Sequence, residues 1–140
     1  MITALAIGLV LALALALVVA VALDRGPGPA DVAVAYELAL DRGDAETLWG
    51  LSAGHLRAGR HRHEFVEETR EELARAPRSS VHEVIVEDEY TGSSDASVLT
   101  RVVHHDGTTR RRRTRCAREQ GSWRVSAITV ATDPGAPSRP

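Results

Sequence analysis

Residues 2 to 23, ITALAIGLVLALALALVVAVAL, run for 22 positions without a charge. As a helix rising about 1.5 Å per residue, this run spans roughly 33 Å, enough to cross the hydrocarbon core of a bilayer. A secretory signal peptide should open on basic residues and carry an apolar core of only about 7 to 15 residues before a small-residue cleavage site. Ala20-Val21-Ala22 supplies the small residues, but no Lys or Arg precedes the run, which is also too long. A lipoprotein needs a cysteine directly after the apolar stretch, and the single cysteine is Cys116. The expectation is an uncleaved transmembrane anchor over residues 1–23, followed by a short Pro/Gly linker, DRGPGPA, over 24–30.

Counted literally, Arg25 and Arg42 beyond the run favour a cytoplasmic domain, yet long downstream domains are translocated regardless of such charges. The expected location is therefore the cell membrane, single-pass, with the domain extracytoplasmic. All 17 basic residues are arginine, and the chain has neither Lys nor Asn. Both missing residues have A/T-rich codons, which points to a G+C-rich, bacterial genome. It also weakens any argument that each arginine was selected over lysine for bidentate chemistry.

After the linker, Asp31 to Arg42 reads as a helix with Asp31 as N-cap and Gly43 just past its end, its apolar side combining Val32, Ala35, Tyr36, Ala39 and Leu40. A second helix begins at Asp44 and carries Leu48, Trp49 and Leu51. A third, near Arg62 to Ala76, places Phe65, Thr69 and Leu73 at four-residue spacing before Pro77 stops it. Glutamates 64, 67, 68, 71 and 72 make that segment acidic. Beyond Pro77 the period becomes strand-like: 81–90, 95–105, 109–119 and 122–130, separated by TGSS, DG and QG. Helices followed by a meander predict an α+β domain over 31–130, with about three helices and a four-stranded antiparallel sheet. ATDPGAPSRP, 131–140, reads as a disordered tail.

If Asp106-Gly107 and Gln120-Gly121 are two-residue turns, Leu99, Thr114 and Ala127 share one sheet face with Ser97, Cys116 and Val125. That face is expected to be the core. Arg111, Arg113, Arg115 and Arg124 then fall on the opposite face around Val98, Thr100 and Val102, a candidate patch for a partner or lipid. Arg110 and Arg112 alternate back to the interior side, where they join Tyr36 and Trp49 as candidate pocket-lining residues.

ALDRGDAETLW, SSDASVLTRVVHHDG and REQGSWRVSAI, in this order, resemble the nuclear-transport-factor-like superfamily, a cystatin-like cone. The nearest likeness is to small membrane-anchored bacterial members of unknown function, in which a Gly-Asp-Ala element follows the first helix and a Gly-x-Trp element opens the last strand. Here these are Gly43-Asp44-Ala45 and Gly121-Ser122-Trp123. The resemblance implies a cone-shaped sheet wrapped on helices and a tendency to dimerise. Ketosteroid isomerases and polyketide cyclases use the same cone for proton transfer, with acidic residues and a tyrosine. Tyr36 lies in the matching element, but no buried carboxylate aligns with the catalytic ones.

Other chemistries find less support. His61, His63, His104 and His105 diverge on their elements, so neither a metal site nor a cofactor is expected. Cys116 reads as a buried apolar residue. An isoelectric point near 6.3 and arginines without interleaved aromatics argue against nucleic acid. The expectation is a membrane-anchored, non-enzymatic accessory or interaction module. It docks an anionic lipid surface or a protein, a second copy included, through Arg111, Arg113, Arg115 and Arg124. The alternative is a small-molecule-binding or isomerase/cyclase-like cone pocket.

Overall fold

A computed structural model describes residues 26–75 and 81–132. The apolar run read as an anchor, Pro77 and residues 133–140 of the tail lie outside them. Among the described residues no helix is long and apolar enough to cross a membrane.

Helix α1 spans Pro29–Arg42 and begins two residues before the sequence reading placed it. Pro29, whose φ is already helical and whose missing N–H costs nothing in the first turn, moves the start forward. Asp31 therefore stands inside the first turn rather than at the N-cap, and its Oδ2 accepts the Gly28 N–H at 3.1 Å. Gly43 ends the helix in the left-handed region, φ 68°, a conformation that needs no Cβ. Asp44 caps α2 (Ala45–Leu51) by accepting from Thr47 N–H at 3.1 Å. A four-residue helix, α3 (Gly54–Arg57), was not anticipated; α4 covers Arg62–Arg75.

Strands β1 (Val81–Thr91), β2 (Asp95–His104), β3 (Thr109–Glu119) and β4 (Ser122–Val130) form an antiparallel meander in the order β1-β2-β3-β4. Irregularities at Val81/Glu83, Val86/Asp88 and Arg115/Cys116 bend it into a curved sheet, as inserted residues do. The helices pack on one of its faces. The core joins Val32, Tyr36 and Ala39 of α1, Ala45 and Leu48 of α2, and Phe65 and Val66 of α4 to Ala96, Cys116 and Val125 of the sheet. The outer edge of β4 is closed by Ser52, which bridges Val125, and by Ala53 N–H donating to Val125 O at 2.7 Å.

The β2–β3 register differs by one residue from the sequence reading. The loop has three residues rather than two: His104 N–H donates to Thr108 O at 2.9 Å, and Gly107 N–H to His104 O at 3.0 Å. Gly107 sits at φ +83°. Asp106 Oδ1 accepts from the Thr108 N–H at 2.8 Å and its hydroxyl at 2.6 Å, which stabilises the longer turn. Since side chains alternate, one residue of slip inverts β2. Val98 pairs with Thr114 and Thr100 with Arg112, so Val98, Thr100 and Val102 face the core, at 0, 0 and 2% exposure. They are not the centre of a basic patch. Cys116 pairs with Val125 as expected, but the β3–β4 irregularity matches Thr114 with Ile128 rather than Ala127.

Candidate functional site

Strand alternation divides the arginines of β3 as the sequence suggests, odd positions outward and even positions inward. On the outer face Arg111 opposes Arg101, Arg113 opposes Leu99 and Arg115 opposes Ser97. Arg111 is committed: its Nε donates to Glu87 at 2.8 Å, and Arg101 pairs with the same carboxylate. Glu87 occupies the β1 irregularity, where an extra residue re-aims a side chain. Desolvation pushes its carboxyl up, but hydrogen bonds from Arg111 and Arg101 outweigh that and hold it below its ordinary value. Arg113 donates to Ser97 Oγ at 3.1 Å, and both Arg113 and Arg115 are exposed. Arg124 reaches across the β4 edge to donate to Gly50 O at 2.7 Å, away from the other three.

The inner face carries a polar seam. Arg112 Nη1 lies 3.2 Å from Glu37 Oε2, joining β3 to α1, and Glu37 is 3% exposed. Among the described residues its second oxygen has no hydrogen-bond partner, nor has the buried Thr114 hydroxyl. Burial raises the Glu37 carboxyl above its ordinary value, with the charges of Arg112 and then Arg110 opposing. Beside it, Tyr36 is also raised by burial, against a hydrogen bond with Ser52. Ser52 donates in turn to Leu48 O at 2.6 Å. Arg110 is exposed at the rim. Of the four candidate lining residues, Tyr36, Arg110 and Arg112 meet around Glu37. Trp49 turns to Phe65, ring centroids 5.3 Å apart, and to the Arg57 guanidinium at 4.0 Å.

Glu37 is a buried carboxylate that the sequence reading did not single out. The signal was legible: Pro29, Val32, Ala33, Tyr36 and Glu37 recur at helical spacing, all buried, and Glu37 is the lone charge on that stripe. The sequence reading had put Ala35, which is half-buried, on it instead. The histidines lie apart from this seam. His61 and His63 are exposed, while His105 packs its ring edge-on to His82 at 4.9 Å. Cys116 is buried, and desolvation, with the charge of Glu89 next, pushes its thiol up to about 11.

No protein-family model matches the sequence, and neither does any curated protein. Solved structures do match in shape. A Campylobacter jejuni protein assigned as an NTF2-like transpeptidase superposes with a TM-score of 0.57 at 17% identity, over 71% of this chain and 97% of that one. A SEC-C motif-containing protein from Rhodopseudomonas palustris gives 0.57 at 14% identity, over 74% of this chain and 79% of that one. The shared feature is the NTF2-like fold: helices packed on a curved antiparallel sheet.

Proposed function

We propose that the chain is a membrane-anchored, non-enzymatic module of the bacterial cell envelope that docks anionic lipid headgroups through the outer face of its sheet. The observation that carries this reading is the position of Arg113 and Arg115. Both are exposed on the sheet face opposite the helical layer. They sit in the middle of β3, beside the start of α1: Cys116, next to Arg115, has its Sγ 4.0 Å from Pro29 O. Between Leu23 and Pro29 the chain spans at most about 21 Å, so a bilayer-inserted run keeps this part of the domain near the headgroups. Each basic residue near an anionic surface contributes about 1 kcal/mol. The acidic helix α4 of a second copy is a weaker match, since Glu67, Glu68 and Glu71 already pair with Arg70, Arg60 and Arg75.

The test places a dye at Thr129→Cys on the outer face of the full chain, in nanodiscs carrying a headgroup quencher. Quenching is expected in anionic discs and should weaken as salt rises. Arg113→Glu with Arg115→Glu should lower the docked fraction's equilibrium constant by roughly thirtyfold or more. Equal quenching in zwitterionic discs, or none in anionic ones, overturns the lipid reading. Protease digestion of intact cells tests the outside orientation: a domain protected until lysis contradicts it.

A ligand-binding or isomerase/cyclase-like cone is the second reading, favoured by the unpartnered Glu37 oxygen beside Arg112 and Tyr36. It requires Glu37→Gln to abolish binding or turnover of the responsible small molecule while leaving vesicle docking intact.

A further inference from the structure

Where β3 turns into β4, a depression of about 370 Å³ opens, lined by Arg57, Glu119, Gln120 and Arg124. Arg57 Nη2 donates to Trp49 O at 2.8 Å, and Arg124 Nη1 to the next carbonyl, Gly50, at 2.7 Å. Two guanidiniums thus converge on the carbonyls at the C-terminal end of α2, which carry its negative end; the Trp49 carbonyl also accepts the Ser52 N–H at 3.3 Å. Main-chain carbonyls neutralise no charge. Among the described residues neither arginine has a carboxylate at ion-pair distance. Arg57 Nε is buried without a hydrogen-bond partner among the described residues. Burial, and after it the positive charge of Arg124, lowers the Arg57 pKa, with the charge of Glu119 opposing. Glu119, the one carboxylate of the lining, spends its Oε1 on Gly54 N–H at 2.9 Å.

We propose that this depression binds a small carboxylate ligand, its carboxylate bridging Arg57 and Arg124. Two arginines against one glutamate leave a single positive charge, which a monoanion matches. A phosphate dianion overcompensates it and meets Glu119. Planar guanidiniums favour the paired oxygens of a carboxylate. The Gln120 amide and the second Glu119 oxygen then face the polar remainder of the ligand. The inference uses neither Arg113 nor Arg115, so it stands apart from the docking reading.

The experiment follows the arginine Nε–H resonances of the full chain in zwitterionic micelles during titration with sodium acetate at constant ionic strength. Sodium chloride and inorganic phosphate are the comparison titrants. Saturable shifts are expected at Arg57 and Arg124, with half-saturation roughly millimolar for so small a probe, and none at Arg113 and Arg115. Arg124→Gln should weaken the acetate response at least fivefold. This variant is preferred because Arg57, besides its carbonyl bond, also stacks on the Trp49 ring, 4.0 Å from the centroid. Glu119→Gln should shift preference towards phosphate. Shifts of equal size at Arg113 and Arg115, an unchanged response in Arg124→Gln, or tighter phosphate than acetate binding in the unaltered chain each overturn the proposal.

Discussion

Glu37 and Glu87 are two glutamates on opposite faces of one sheet, and their environments drive them in opposite directions. Glu37 is raised by burial, with Arg112 and Arg110 opposing, whereas two arginine hydrogen bonds hold Glu87 down. The raised group binds its proton more tightly folded than unfolded. Its contribution is therefore complete below the unfolded pKa and is lost as pH rises through the folded one. The lowered group behaves oppositely, losing its contribution as pH falls through its folded pKa. Denaturant midpoints of Glu37→Gln and Glu87→Gln across the acid range should show this. Relative to the parent, Glu37→Gln should gain with rising pH from the usual glutamate range upward, and Glu87→Gln should lose. Parallel curves would mean that Glu37 is solvated in solution.

At the scale of elements, α4 is the loosest attachment. It packs mainly on α2 and buries only Phe65 and Val66, both in its first half. The ion pairs Arg70–Glu67 and Arg75–Glu71 are exposed on both sides, and pairs of this kind contribute at most a few tenths of a kcal/mol. Hydrogen exchange should therefore be faster in the second half of α4 than in α1. Phe65→Ala, which removes a buried ring at a cost of about 3–5 kcal/mol, should erase protection along the whole helix, while Glu71→Ala should leave the first half unchanged. The edge strands are treated differently: β4 is covered by Ser52 and Ala53, whereas β1 carries Glu83, Glu87, Asp88 and Glu89, charges that discourage pairing with another sheet.

For the whole molecule, one buried thiol reports on cooperativity. Cys116 is 1% exposed beneath the helices, with its thiol raised to about 11, so alkylation near neutral pH requires opening of the core. Leu48, also 1% exposed, joins α2 to that core. Leu48→Ala should cost about 2–5 kcal/mol and speed native-state labelling of Cys116 by a factor of roughly 30 to several thousand. Rapid labelling of the unaltered chain would show that the helices lift from the sheet without global unfolding.

The sequence alone was sufficient for the order of the longer helices and strands, the antiparallel meander, the α+β class, and the inward and outward division of the β3 arginines. Each of these rests on local periodicity, capping or turn chemistry, and Glu37 was legible too as the single charge on a helical stripe. The face of β2 was not legible in the turn, because Asp-Gly suits a two-residue loop as well as a three-residue one. Arg101, which a two-residue turn would bury, was the available clue. Only the tertiary structure decided which charges cancel. Glu87 on β1 meets Arg101 of the adjacent β2 and Arg111 of β3 beyond it, Arg112 finds Glu37 across the core, and Arg57 meets Arg124 from 67 positions away along the chain. Coulomb attraction depends on distance through space, and separation along the chain does not encode that distance until the sheet has closed on its helices.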